Sequence, residues 1–349
     1  EGSAGADGTV SYPIIPIFIP HIGCPHDCVF CNQRRIAGET RAPEPEQVSA
    51  QLFAAFQETE CAEVAFYGGS FTAIEQERQR AYLRAVAPFA AQISGIRVST
   101  RPDAITPEII ALLREGGVTL VELGAQSMDD AVLEASGRGH TAEDTRRAVA
   151  HLRAADMPYV LQMMVGLPGE KAGSARETAR ALAALHPVGV RVYPTVVVRD
   201  TQLEMLWRAG AYAPLEVERA VELCAQIAEI FDAAGVPIIR MGLNPTRDLS
   251  GGDALAGAYH PAFGQLVAAR RRFLRLRALL SGHAGETVTV YANPRELSEV
   301  AGHRGENRAR LIRECGIKAL RILPDAALAP QEMRVVHGKY SQNTGGEFD

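Results

Sequence analysis

Two rhythms of apolar residues alternate along the chain. Seven short runs crowd branched and aromatic side chains together: IIPIFIP (14–20), EVAFYGG (63–69), IRVSTRPD (96–103), VTLVELGAQS (118–127), PYVLQMMVGLPG (158–169), GVRVYPTVVV (189–198) and VPIIRMGL (236–243). Each has the length and composition of a buried strand. Between them, segments such as 45–60, 76–93 and 142–157 place apolar residues three and four apart, the spacing of a helix face. Strands that alternate with helices predict a parallel sheet. This many units in about 230 residues favours an α/β fold built as a full or partial (β/α) barrel, with the working groups where strands end and loops begin. A second pattern occupies 287–325: strand, helix, the turn GHRG at 302–305, helix, strand. That predicts a small C-terminal α+β module.

Composition narrows the class. With 349 residues, 47% of them hydrophobic, the chain can bury a large core without covalent staples. Of six cysteines (24, 28, 31, 61, 224, 315), three are isolated. This argues against a disulfide framework and for a reducing, cytoplasmic location. The apolar run YPIIPIFIP (12–20) is nine residues long and carries three prolines, so it reads as a strand and not as a membrane segment. A net charge of −5 supplies no global field for nucleic acid, so any such contact must come from a local patch.

The stretch GCPHDCVFCNQ (23–33) concentrates Cys24, Cys28 and Cys31 within eight residues, directly after the first strand. A zinc knuckle would need a second Cys/His pair about 12–20 residues on, and Cys61 is the next cysteine. An incomplete ligand set at a barrel mouth suggests a site left open for a substrate or cofactor. Cys-x3-Cys-x2-Cys with an aromatic residue, Phe30, before the last cysteine resembles the cluster loop of the radical S-adenosylmethionine superfamily. The resemblance implies a 4Fe–4S cluster with three irons on these thiolates and the fourth chelated by S-adenosylmethionine.

YGGSF (67–71), STRPD (99–103), VELGAQSMDDAVLEASGRGHT (121–141), MMVGLPGE (163–170) and YPTVVVRDTQLEMLWRAGAY (193–212) follow in order. From Pro16 to Asn244 they resemble the radical domain of the elongator catalytic subunit, which modifies wobble uridines of transfer RNA, and more distantly oxygen-independent coproporphyrinogen oxidase. The family pattern implies that Gly68 and Gly69 meet the methionine end of the cofactor, with Phe30 and Ser70 as further candidate cofactor contacts. It places Gln126 and Arg138 near the ribose and carboxylate, Val165 beneath the adenine and Tyr193 beside it. Ser99 and Gln162 stand where relatives carry an acidic residue and a His or Asp, keeping hydrogen-bonding ability without charge. The implied chemistry is reductive cleavage of S-adenosylmethionine to methionine and a 5′-deoxyadenosyl radical, with an external electron donor. After Asn244 no Gly-rich pyrophosphate loop marks an acetyltransferase, so a simple repeat of the elongator reaction is not expected.

The C-terminal pattern resembles a KH module, whose GXXG loop clamps a nucleic-acid backbone. This makes Gly302, His303, Arg304 and Gly305 candidate RNA contacts, with Arg308, Arg310 and Arg313 behind them. The arginines at 270, 271, 272, 275 and 277 read as a solvated helix face. The expected organisation is a flexible leader (1–11), a radical S-adenosylmethionine barrel (12–250), a loop and basic helix (251–286), the KH-like module (287–335) and a flexible tail (336–349). The leading functional expectation is radical modification of RNA, with transfer RNA as partner. The alternatives are the same chemistry on a small molecule or peptide, and an RNA-binding protein with a structural metal loop.

Overall fold

A computed structural model describes residues 3–4, 10–20, 24–32, 41–244 and 249–337. It divides into two compact units, 1–263 and 264–349. The first is built on seven parallel strands: β1 (Ile14–Ile19), β2 (Ala62–Gly68), β3 (Ile93–Thr100), β4 (Leu120–Gln126), β5 (Tyr159–Val165), β6 (Gly189–Pro194) and, after a short β7 (Val196–Val198), β8 (Ile238–Met241). Their order, β8-β6-β5-β4-β3-β2-β1, follows the chain, so each crossover lays its helix on the outside of a curled, partial (β/α) barrel. The helices are α1 (Pro45–Ala55), α2 (Gln76–Val86), α3 (Pro107–Glu115), the short α4 (Asp130–Ala135), α5 (Ala142–Ala154), α6 (Ser174–Ala183), α7 (Gln202–Arg208) and α8 (Val217–Ala233).

Local sequence fixes where these helices begin. Thr141 and Asp144 form a reciprocal capping box at α5, and Thr106 and Thr201 cap α3 and α7. Apolar stripes such as Val48 and Leu52 of α1, or Ala225, Ala228 and Phe231 of α8, are buried in the core. The run 189–198 does not stay one strand. The Thr195 N–H still bonds to Val165 O at 2.9 Å, but Val196–Val198 leave to pair antiparallel with β9 (Ala254–Gly257).

The second unit contains all but the first residue of α9 (Phe263–Leu279), then β10 (Thr287–Ala292), α10 (Leu297–Ala301), α11 (Glu306–Cys315), β11 (Ala319–Pro324) and β12 (Met333–His337). β10 is central, parallel to β11 and antiparallel to β12. The expected 251–286 segment divides at 263/264, and its basic helix belongs to this unit's core: Phe273, Leu276 and Leu280 pack with Val288, Val290 and Leu311. The reading of its arginines as a solvated face needs correction. Arg272 is only 8% exposed, pairs with Glu296 at 2.5 Å and Glu299 at 3.6 Å, and donates to Gln331 O at 3.2 Å.

Of the expected leader, residues 3–4 and 10–11 pair as a short antiparallel ribbon and the rest lies outside the described residues, as does the tail from 338. Among the described residues no helix is long and apolar enough to cross a membrane.

Candidate functional site

The cysteine loop is fixed to the strand-end side of the barrel from two directions. The Val29 N–H donates to Ser136 O at 3.1 Å, and Val29 O accepts from the Leu203 N–H at 2.7 Å. Asn32 Nδ2 adds bonds to Arg199 O at 3.1 Å and Asp200 O at 3.4 Å. The SGRGH turn that receives the loop (136–140) depends on two glycines with left-handed backbone. A Cβ on Gly137 would lie 3.1 Å from Asp27 O, and one on Gly139 would meet the His26 ring.

Between those glycines, Arg138 reaches the loop itself. Its Nη1 donates to Cys28 Sγ at 3.3 Å and its Nη2 to Gly124 O at 2.7 Å, with the side chain nearly enclosed. Gly124 makes room, since a Cβ there would lie 2.9 Å from Gln126 Nε2 and 3.4 Å from Arg138 Nη2. Gln126 holds φ of +63°, a conformation uncommon for a non-glycine residue, and its Oε1 accepts from Gln162 Nε2 at 3.4 Å. Two polar pairs thus lie side by side along β4 and β5: Cys28 with Arg138, tied to the Gly124 carbonyl, and Gln126 with Gln162. Three thiolates in one loop with a guanidinium N–H on one sulfur fit an iron–sulfur cluster, whose sulfurs are tuned by such hydrogen bonds.

Other expected residues take distinct places. Gly68, at φ +107°, allows the β2 end to approach Ile19, whose carbonyl accepts the Gly69 N–H at 2.7 Å. Ser70 is buried, and its Oγ lies 2.9 Å from Thr100 Oγ1 and accepts the Arg101 N–H at 3.2 Å, so its hydroxyl serves the turn. Val165 is fully enclosed, while its neighbour Met164 packs with Phe30 and Tyr193. Ser99 is half-buried and in register with Glu122.

Glu122 and Met164 were not singled out by sequence. Glu122 is the hub of a polar network inside the barrel: one carboxylate oxygen accepts from Arg191 at 2.8 Å, Arg97 at 3.0 Å and Tyr67 at 3.4 Å. Arg97 also pairs with Glu63, and Arg191 Nη1 donates to the Tyr193 hydroxyl at 3.4 Å. Two carboxylates thus balance two guanidiniums, as enclosed charges require. Burial, then Glu122, pushes the Tyr67 phenol above its ordinary range, with Arg191 and Arg97 opposing. The readable signal was a charged residue in mid-strand on four different strands, at 63, 97, 122 and 191.

Behind the GLPG turn lies a cavity of about 530 Å³ lined by Gly166, Glu170, Arg176, Tyr212, Arg219 and Gln226. Burial raises the Glu170 carboxyl to about 7, although the Gly166 and Leu167 N–H groups pull the other way. In the second unit His303 and Arg304 of GHRG are exposed, and Arg304 adopts a left-handed backbone at φ +51° between the two helices.

A Radical SAM superfamily model matches residues 18–182, and a Radical SAM C-terminal domain model matches 187–274. An uncharacterized protein of Methanocaldococcus jannaschii is 29% identical over 238 residues, 62% of this chain and 70% of that one. The tRNA uridine(34) acetyltransferase of the same organism is 31% identical over 136 residues, 38% of this chain and 25% of that one. Elongator complex protein 3 of Mus musculus is 28% identical over 188 residues, 52% of this chain and 33% of that one. The chain therefore spans a quarter to a third of these last two relatives. The solved structure of archaeal Methanocaldococcus infernus Elp3 shares the fold, with a TM-score of 0.59 at 21% identity over 77% of this chain and 64% of that one. With two family models covering all but four residues of 18–274, and a partial barrel that carries a three-thiolate loop at its strand ends, the chain belongs to the radical SAM superfamily, enzymes that use a 4Fe–4S cluster and S-adenosylmethionine.

Proposed function

We propose that the protein is a radical SAM enzyme that modifies RNA, with transfer RNA as the substrate class. Cys24, Cys28 and Cys31 would hold the cluster, and Gly68, Gly69, Gln126, Gln162 and Tyr193 would line the S-adenosylmethionine site. When bound, this pair supplies one-electron cleavage of a sulfonium and hydrogen-atom abstraction. The protein's own part is to orient and to exclude water. Arg138 ties Cys28 to the end of β4, the Gln126–Gln162 contact presents amide groups at the strand ends, and Phe30, Met164 and Tyr193 form an apolar wall.

The observation that carries the RNA reading is the exposed GHRG turn on a unit whose sequence holds 14 Lys and Arg against nine Asp and Glu, in a chain that is acidic overall. The names of the two partial relatives, both concerned with transfer RNA or elongator, point the same way. The test is anaerobic reconstitution with iron, sulfide and a reductant, followed by measurement of 5′-deoxyadenosine with and without bulk transfer RNA. Stimulation by the RNA is expected. Turnover indifferent to RNA would favour the same chemistry on a small polar molecule, for which the Glu122–Arg191 network inside the barrel is the observation in favour.

A further inference from the structure

Away from the barrel, one group of metal-type donors converges among the described residues: His283, Glu286 and His337, with a ligand atom of each within 4.8 Å of the others. The Nδ1 atoms of His283 and His337 lie 3.1 and 3.6 Å from the same carboxylate oxygen, Glu286 Oε2. The two imidazoles face each other at 3.7 Å with 11° between their planes.

The fold fixes this arrangement. The HAGE segment closes a turn through the bond from Glu286 N–H to His283 O at 3.1 Å. Bonds from Gly285 N–H to Gly316 O at 2.8 Å and from Lys318 N–H to Glu286 O at 2.7 Å anchor that turn beside the start of β11. The antiparallel register that pairs Val288 with His337 then delivers the second imidazole from the other side of β10. Two segments, the 283–286 turn and β12, thus bring two imidazoles and one carboxylate together, with a donor atom of each within 4.8 Å of the others. One divalent cation would give all three donors a common partner.

We propose that His283, Glu286 and His337 form a divalent metal site in the C-terminal unit, of the class that takes imidazole nitrogen with carboxylate oxygen, zinc foremost. Three protein donors leave a fourth tetrahedral position for water or an exogenous ligand. The ion would fasten the 283–286 turn to the last described strand and so hold β12 on the sheet.

Cysteine thiolates also bind zinc, so the test uses the full chain with its cluster assembled anaerobically, occupying Cys24, Cys28 and Cys31. Dialysis against zinc followed by elemental analysis should find one zinc per chain in addition to the iron. Calorimetry should show affinity at least about tenfold weaker in His283→Ala and in His337→Ala, since each removes a ligand, with a smaller loss in Glu286→Gln. The zinc absorption edge should fit nitrogen and oxygen neighbours at about 2.0–2.2 Å. Unchanged iron content and circular dichroism in the variants would assign the loss to the ligands, and His337→Gln replaces the alanine variant should that one misfold. No zinc beyond the iron, equal affinity in a His283→Ala/His337→Ala double variant, or a sulfur shell at about 2.3 Å would each overturn the assignment.

Discussion

Arg138 joins two parts of the site by itself, because one guanidinium holds both the Cys28 sulfur and the carbonyl of Gly124. Arg138→Ala should lower the midpoint potential of the cluster and speed its loss to a chelator, since an N–H donor to sulfur stabilises the reduced, more negative state. An electron-paramagnetic-resonance redox titration checks this, and an unchanged potential would reduce Arg138 to a structural tie. Two buried titratable groups give the stability a hidden pH dependence. Glu170 rises from 4.5 to about 7 through burial, so its contribution is complete below pH 4.5 and disappears as pH climbs through 7. His140 falls from 6.5 to about 4, through burial first and then Arg138 and Arg101, so its contribution is complete above 6.5 and disappears as pH falls toward 4. The two slopes oppose each other, each worth roughly 3 kcal/mol over its range. Glu170→Gln should remove one and leave a stability that climbs steadily with pH between about 4 and 6.5; denaturant titrations at stepped pH would show it. The thiolate triad was legible at this scale because its spacing is rare, and Glu122 was not, because a lone carboxylate in a strand looks like any solvated residue until the barrel curls around it.

Individual elements show where pattern reading succeeds. Strands β1 to β6 and helices α1, α2 and α5 followed from apolar rhythm alone, since both faces of a parallel sheet must be buried. The break after Pro194 was invisible, because Val196–Val198 are as apolar as the strand they leave and only the partner β9 tells them apart. The basic helix failed for the opposite reason. Arginines at 270–272 mask Phe273 and Leu276, which put α9 in the core, and Arg272 goes inward with them through its glutamate partners. The cysteine loop depends on the turn beneath it. Gly137→Val sets a β-branched residue at φ +64° against Asp27 O, at a cost of about 1–2 kcal/mol or more. Iron retained after anaerobic reconstitution should fall well below wild type while far-ultraviolet circular dichroism stays the same. Full iron loading would mean the loop is held without its lower contact.

At the scale of the whole chain, charge is divided. Residues 264–349 carry a formal +5 while the total is −5, so the first unit carries −10. This explains why the overall pI argued against nucleic acid and the C-terminal motif argued for it. Binding of transfer RNA should weaken with salt by about 0.7 in log K per neutralised phosphate for each log unit of salt, if single-stranded segments are contacted. Arg304→Asp should weaken it more than Arg321→Asp, the same charge change at another exposed position of the unit. Reversal of Arg272 is unsuitable as a comparison, because it would break the pairs with Glu296 and Glu299. Equal affinities of the two single variants across a salt series would make the turn a structural cap. The anchoring of the cysteine loop also has a consequence for biosynthesis. The thiolates leave the ribosome among the first residues of this sequence, but Val29 must wait for Ser136 and Leu203, and Asn32 for Arg199, 167 residues later. At roughly 5–20 residues per second, that is a delay of about 10–30 s in which the ligands exist without their seat. Iron delivered during that interval would meet a peptide without its anchors, open to zinc and oxidation, so the seat that orients the three ligands exists only once the chain through Leu203 has folded.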